Sequence, residues 1–220
     1  MSDLLSFARG PALQFAGVVF ILGMTWRLVA LALLPRGATR AAPRPGSPGR
    51  RMGILYGLAS KWVPHKQFRK ASMFHFVNGY VFHLGLAIVV FGFGPHIQFF
   101  AGVFGLSWPN LPSPVVYAAG AITLGSLLAA LGRRWTNPVQ RAISNVDDYI
   151  SWLVTALPVA TGLMAAGHLT ADYQTILAVH ILSVCALLIW FPFGKLMHAV
   201  LFLASRGATG ARLAPRGAKL

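Results

Sequence analysis

From Ala71 through Gly132 the chain carries no formal charge. A helix that is apolar on every face has to be buried or placed in lipid, so this stretch rules out an ordinary water-soluble domain. Crossing about 30 Å of hydrocarbon takes roughly 20 mainly apolar residues per helix. Five segments meet that need: about 11–34, 74–103, 114–132, 148–167 and 174–203. The second and third divide at SWPNLPSP (107–114), whose prolines and Asn110 favour a turn. Composition agrees, with 56% of the 220 residues hydrophobic, 10% charged and a mean hydropathy of +0.64. The expected fold class is an all-α integral membrane protein, one five-helix transmembrane bundle over residues 1–204.

The basic residues then set an orientation. Of the Lys and Arg residues, nine fall between spans one and two, three between spans three and four, and five from Lys195 onward. The second and fourth connections hold none, Arg9 precedes the first span, and Arg27 lies inside it. Positive charge marks the cytoplasmic side, which predicts an outer N-terminus, a cytoplasmic C-terminus and a multi-pass protein of the cytoplasmic (inner) membrane. Residues 35–73 form a basic cytoplasmic loop on this reading, with an irregular Pro/Gly/Arg-rich part at 36–51, and 205–220 form a basic, mobile cytoplasmic tail. A total of 19 Lys and Arg against four acidic residues could suggest nucleic acid, but the basic residues sit between apolar spans and no nucleic-acid partner is expected. The first apolar stretch is too long for a signal-peptide core and reads as a retained span.

The one cysteine, Cys185, lies in an apolar run, so this chain alone offers no disulfide, no cysteine zinc site and no iron–sulfur cluster. Histidines are more informative, because ionisable or metal-binding side chains are costly in a bilayer. His65 among basic residues and His168 at an outer turn read as solvated; His75, His83, His96, His180 and His198 fall in spans two and five. His180 and His198 are 18 residues apart, five turns of a continuous helix, which predicts one shared face and about 27 Å of separation. Two stacked metals would use that arrangement, each taking a second histidine from span two. Zinc would want three or four ligands at one depth, and no carboxylate or thiolate is near enough, so iron in haem fits better.

A helical side chain leans over the turn before its own Cα, so a macrocycle on a histidine crowds the position four residues earlier. That position is Gly79 for His83, Gly92 for His96 and Gly194 for His198, but Ala71 for His75 and Ile176 for His180. A regular helix would turn His83 and His96 roughly 140° apart, whereas Gly92, Gly94 and Pro95 offer a break that swings His96 back. In an unbroken helix His75 and His83 would instead compete as the pair.

With VFHLGLAIVVFG (81–92) and HILSVCALLIWFPFGKLMH (180–198), of which FPFGKLMH (191–198) is most specific, the chain resembles the cytochrome b (gamma) subunit family of respiratory nitrate reductase and its relatives in heterodisulfide reductase and the sulfite-reductase-associated Dsr complex. The resemblance spans most of His83 to His198 and implies a dihaem b-type cytochrome, a subunit of a respiratory oxidoreductase complex. Electrons would pass between quinone or quinol, as substrate, and a cytoplasmic iron–sulfur subunit. It implies His83 and His198 for an inner haem b and His96 and His180 for an outer one; the Gly94-Pro95 step before His96 departs from the nitrate reductase pattern. Two rival readings are a haem b subunit without a quinone site and a haem-free anchor or transporter subunit.

Arg27 is a candidate partner of a haem propionate or a snorkelling side chain. Asp147 and Asp148 suit the N-terminus of span four. Phe99, Phe100, Phe104, Trp108 and Tyr117 form either an interfacial belt or a quinone pocket, with Asp172 and His168 the nearest titrating groups. No nucleophile–base constellation or nucleotide-binding glycine loop is present, so a complete catalytic site is not expected in this chain alone.

Overall fold

The computed structural model describes residues 3–34, 42–60, 62–64 and 66–218. His65, read above as solvated, lies outside the described residues, as does most of the first half of the irregular 36–51 stretch. Among the described residues there is no strand. In chain order the helices are α1 (Asp3–Phe7), α2 (Leu13–Leu33), α3 (Arg50–Ala59), α4 (Arg69–Gly92), α5 (Gly94–Phe104), α6 (Ser113–Thr136), α7 (Pro138–Ile143), α8 (Val146–Ala166), α9 (Tyr173–Trp190) and α10 (His198–Leu213). A π-helical turn over Ala8–Ala12 joins α1 to α2 without a break in helical conformation, and its wider winding absorbs Pro11, which has no N–H to offer.

Five helical segments are long and apolar enough to cross a membrane: Asp3–Leu33, Lys66–Gly92, Ser113–Thr136, Val146–Ala166 and Tyr173–Trp190. The chain is a multi-pass membrane protein. Many of its large apolar side chains point outward, Phe15, Leu22 and Trp26 on the first span being 63%, 64% and 70% exposed in the isolated chain, which suits helices solvated by lipid tails. Helix contacts combine an apolar cluster around Leu127, Ala156 and Val159 with small residues and interhelical hydrogen bonds. Gly85 of α4 sits against the Thr123 hydroxyl and the Ala119 carbonyl of α6. Between helices, Asn78 Nδ2 donates to the Ser126 carbonyl (3.1 Å) and Trp152 Nε1 to the Leu127 carbonyl (2.8 Å).

The spans form a row in which α4 packs on α6, α6 on α8, α8 on α9, and α9 on α2. Among the described residues α4 makes no extensive packing contact with α9 or α2, so the row leaves an opening between its second and fifth spans.

Two expected spans are interrupted. The 74–103 segment breaks at Phe93, whose backbone is extended (φ −83°, ψ 125°), and Pro95 opens the separate helix α5. The carbonyls left over at the end of α4 are taken up by the following loop: Gly92 accepts from Leu111 N (2.9 Å) and Phe91 from Trp108 Nε1 (2.6 Å). Likewise 174–203 is not one helix. α9 ends at Trp190, Phe191–Gly194 turn around the buried Pro192, and a 3-10 turn over Lys195–Met197 leads into α10, which starts at His198. Proline at 192 removes an N–H that a continuing helix needs. The five-turn shared face of His180 and His198 therefore does not exist. Of the segment 205–220, expected to be a mobile tail, the described part, 205–218, is helical through Leu213 and packed on α3: the backbone at Gly53 meets Gly210, and Gly57 meets the Arg206 carbonyl and Gly210.

Candidate functional site

Two pairs of histidines face each other across the opening. His83, on α4, meets His198, the first residue of α10, with ring centroids 6.1 Å apart and planes at 86°. His96, on α5, meets His180, on α9, at 6.2 Å with planes at 22°. Two imidazoles bound to opposite faces of one metal ion, each through a bond of about 2.0–2.1 Å, put their ring centroids about 6 Å apart. Both separations match that geometry, and both pairs combine one histidine from the second-span region with one from the fifth.

The free nitrogens are also set. His83 Nδ1–H donates to the Gly79 carbonyl (2.6 Å), His96 Nδ1–H to the Val89 carbonyl (2.9 Å) and His198 Nδ1–H to the Lys195 carbonyl (2.8 Å). Thr161 places its hydroxyl proton on the Leu157 carbonyl (2.7 Å), so its oxygen accepts from His180 Nδ1–H at 3.3 Å. In all four rings Nδ1 is committed to an acceptor, which fixes the tautomer and leaves the Nε2 lone pair for a ligand. The break at Phe93 makes the His96 contact possible: it carries the chain past the end of α4, and the Val89 carbonyl one turn back orients the ring.

His75 differs. Its Nε2 is hydrogen-bonded to Gln140 Nε2 on α7, and its ring packs edge-on against Phe74 rather than against another imidazole.

Glycine spacing proves a poor guide. A side chain at Gly79 would meet nothing, which leaves open space one turn before His83. Gly92, by contrast, is covered by Leu111, and Gly194 by the Trp190 indole, which donates to Ser151 Oγ (2.9 Å). Neither lies one helical turn before its histidine, because a helix break intervenes in each case. The glycine that matters at the other pair is Gly162 on α8, where an added Cβ would stand 3.0 Å from His180 Cε1. Thr161 and Gly162 were not singled out in the sequence, because their role is visible only once α8 lies against α9.

Arg27 lines an open cleft of about 640 Å³ with Asp147, Lys195 and His198. Lys195 is paired with Asp148 (2.7 Å) and bonded to Asn145 Oδ1 (3.2 Å), while Arg134 reaches Asp148 at 3.4 Å. Among the described residues no carboxylate pairs with Arg27. Asp148 also closes a capping box with Asn145 at the start of α8, in keeping with the expectation for that position.

At the opposite end Phe100 and Trp108 pack on Phe91 and on each other, with centroids 5.6–6.3 Å apart, and Phe104 stacks on Phe100. Asp172 is the N-cap of α9, accepting from Gln174 N and Thr175 N, and the Thr175 hydroxyl bonded to it holds its carboxyl below the usual range. His168 stacks on Tyr173 at a left-handed turn position (φ 50°).

Among the described residues no three His, Cys, Asp or Glu side chains converge as a metal-binding set. A bare ion would find two protein ligands in each histidine pair, whereas a porphyrin brings four nitrogens of its own and a flat body for the opening between α4 and α9. No protein-family model matches the chain. It is 31% identical to a protein of Nitratidesulfovibrio vulgaris (strain Hildenborough), described by the single word "Protein", over 93% of this chain and 91% of that one. The chain belongs to the same family as this Nitratidesulfovibrio vulgaris protein.

Proposed function

We propose that this protein is a dihaem b-type cytochrome of the cytoplasmic membrane, with His83 and His198 holding one haem and His96 and His180 the other. The observation that carries the reading is the pair of facing imidazole couples at 6.1 and 6.2 Å, each ring with its Nδ1 already committed. Bound haem iron supplies a one-electron couple. The chain's own contribution is to fix four imidazoles, exclude water with apolar helices, and offer Arg27 to a carboxylate beside His198.

Orientation follows from the basic connections, with the N-terminus outside and the His83–His198 pair at the cytoplasmic end. The resemblance of residues 81–92 and 180–198 to the nitrate reductase gamma subunits is the ground for extending the proposal to electron exchange between the quinone pool and a cytoplasmic iron–sulfur subunit. A second reading, a transmembrane haem b subunit without a quinone site, is favoured by one observation. The aromatic residues of the outer connection are spent on one another, and Trp108 on the Phe91 carbonyl, as a self-packed interfacial cluster.

The test is the purified chain. A reducible b-type spectrum at two haems per chain is the expected result, and a haem-free protein rejects the redox reading altogether. Reduction of the purified haems by a soluble quinol separates the two redox readings: reduction supports quinone exchange, and its absence supports the second.

A further inference from the structure

The α3–α10 pair stands apart from the five spans. Gly53 and Gly57 on one helix and Gly210 on the other bring the two backbones into contact, and Arg44 N donates to the Pro215 carbonyl (2.8 Å), which closes the far end. Neither helix packs extensively on a span. Residues 42–60 and 198–218 carry Arg44, Arg50, Arg51, Arg206, Arg212 and Arg216 and no acidic residue. On α3, Met52, Leu55, Tyr56 and Ala59 recur at helical spacing on the side opposite Arg50, and the first three are 45%, 58% and 47% exposed.

We propose that the α3–α10 pair lies in the membrane interface and binds anionic phospholipid, the Met52–Leu55–Tyr56 stripe entering the acyl boundary and Arg50, Arg51 and Arg212 taking the phosphates, while Arg206 lies over the Trp62 ring. An exposed apolar stripe on a helix rich in arginine is the pattern of an interfacial helix, and anionic headgroups attract basic segments at the exit of a span. Position favours lipid over a soluble acidic protein. α10 follows the fifth span after only the short Phe191–Met197 turn, and α3 is tethered between the first and second spans, so the stripe is held at headgroup depth. The site is independent of haem, yet α10 begins at His198, so lipid that holds α10 also holds that imidazole.

The test uses the full chain with Cys185→Ser, spin-labelled at Leu55→Cys, in nanodiscs of phosphatidylcholine with and without phosphatidylglycerol. The expected result is a label that collides several-fold more with oxygen, which partitions into lipid, than with a water-soluble nickel chelate when phosphatidylglycerol is present. An Arg50→Gln/Arg51→Gln/Arg212→Gln variant is expected to lose that bias. A label equally open to the nickel chelate in both lipids overturns the proposal, as does protection that appears only with added polyglutamate, which would assign the surface to an acidic protein. The label reports without haem, so its failure is separate from a failure to find two haems.

Discussion

An imidazole in a lipid-solvated helix leaves two ring nitrogens to satisfy where water is scarce, and each unmet polar group there costs free energy. His83, His96, His180 and His198 have met half of that requirement through Nδ1 alone, which leaves the second nitrogen of each for a ligand. His75 spends its Nε2 on Gln140 instead. Replacing His96 or His180 by Ala is therefore expected to remove one haem and leave the other, replacing His83 or His198 to remove the complementary one, and His75→Ala to keep both, as read by haem per chain in purified protein. Gly162→Leu is expected to act like the loss of His180, since the new side chain would occupy the ring's place; unchanged haem content in that variant would refute the role given to Gly162. Thr161→Val removes the Nδ1 acceptor while keeping size, so its expected effect is a shifted reduction potential and weaker haem retention at that pair, commonly 10–100-fold for a lost second partner of a metal ligand.

Between single residues and the bundle lie the helices, and here two breaks set the site. Apolar runs are legible in the sequence because their effects are local and additive, so all five spans are found; the third and fourth match to within a few residues, whereas the second and fifth end at helix breaks, at Gly92 and Trp190, well before the expected limits. The break at Phe93 was legible too, since Gly92, Gly94 and Pro95 sit together. The break at Phe191–Gly194 carries the same proline signal at Pro192, but an 18-residue histidine spacing that fits five helical turns masks it. His198 reaches His83 all the same, by a turn and a new helix rather than by periodicity. The order of α8 against α9, and with it Thr161 and Gly162, depends on non-local packing that one sequence does not display. The close crossing of α3 and α10 belongs to the same class. Gly210→Leu would drive a side chain into the backbone of Gly53 and Gly57, and the expected outcome is faster hydrogen exchange over residues 42–60 with the exchange of α6 and α8 unchanged.

At the scale of the molecule the charge distribution and the histidine pairs make one joint prediction. The nine basic residues between the first two spans, the three between the next two and the five at the C-terminal end should all face the cytoplasm. Cysteine substitutions at Ser47 and Thr209 are expected to react with a membrane-impermeant maleimide only in inside-out vesicles, and one at Thr170 only in right-side-out vesicles, in a Cys185→Ser background. The reverse pattern would place the His83–His198 pair at the outer surface and remove the case for a cytoplasmic iron–sulfur partner. Each histidine pair also joins a residue from the second-span region to one near the end of the chain. On a ribosome that feeds helices into the membrane in order, His83 and His96 emerge long before α9 and α10 exist. Neither couple can close until the fifth span has been synthesised, so a chain cut short by premature termination would reach the membrane with two histidines and no partner for either.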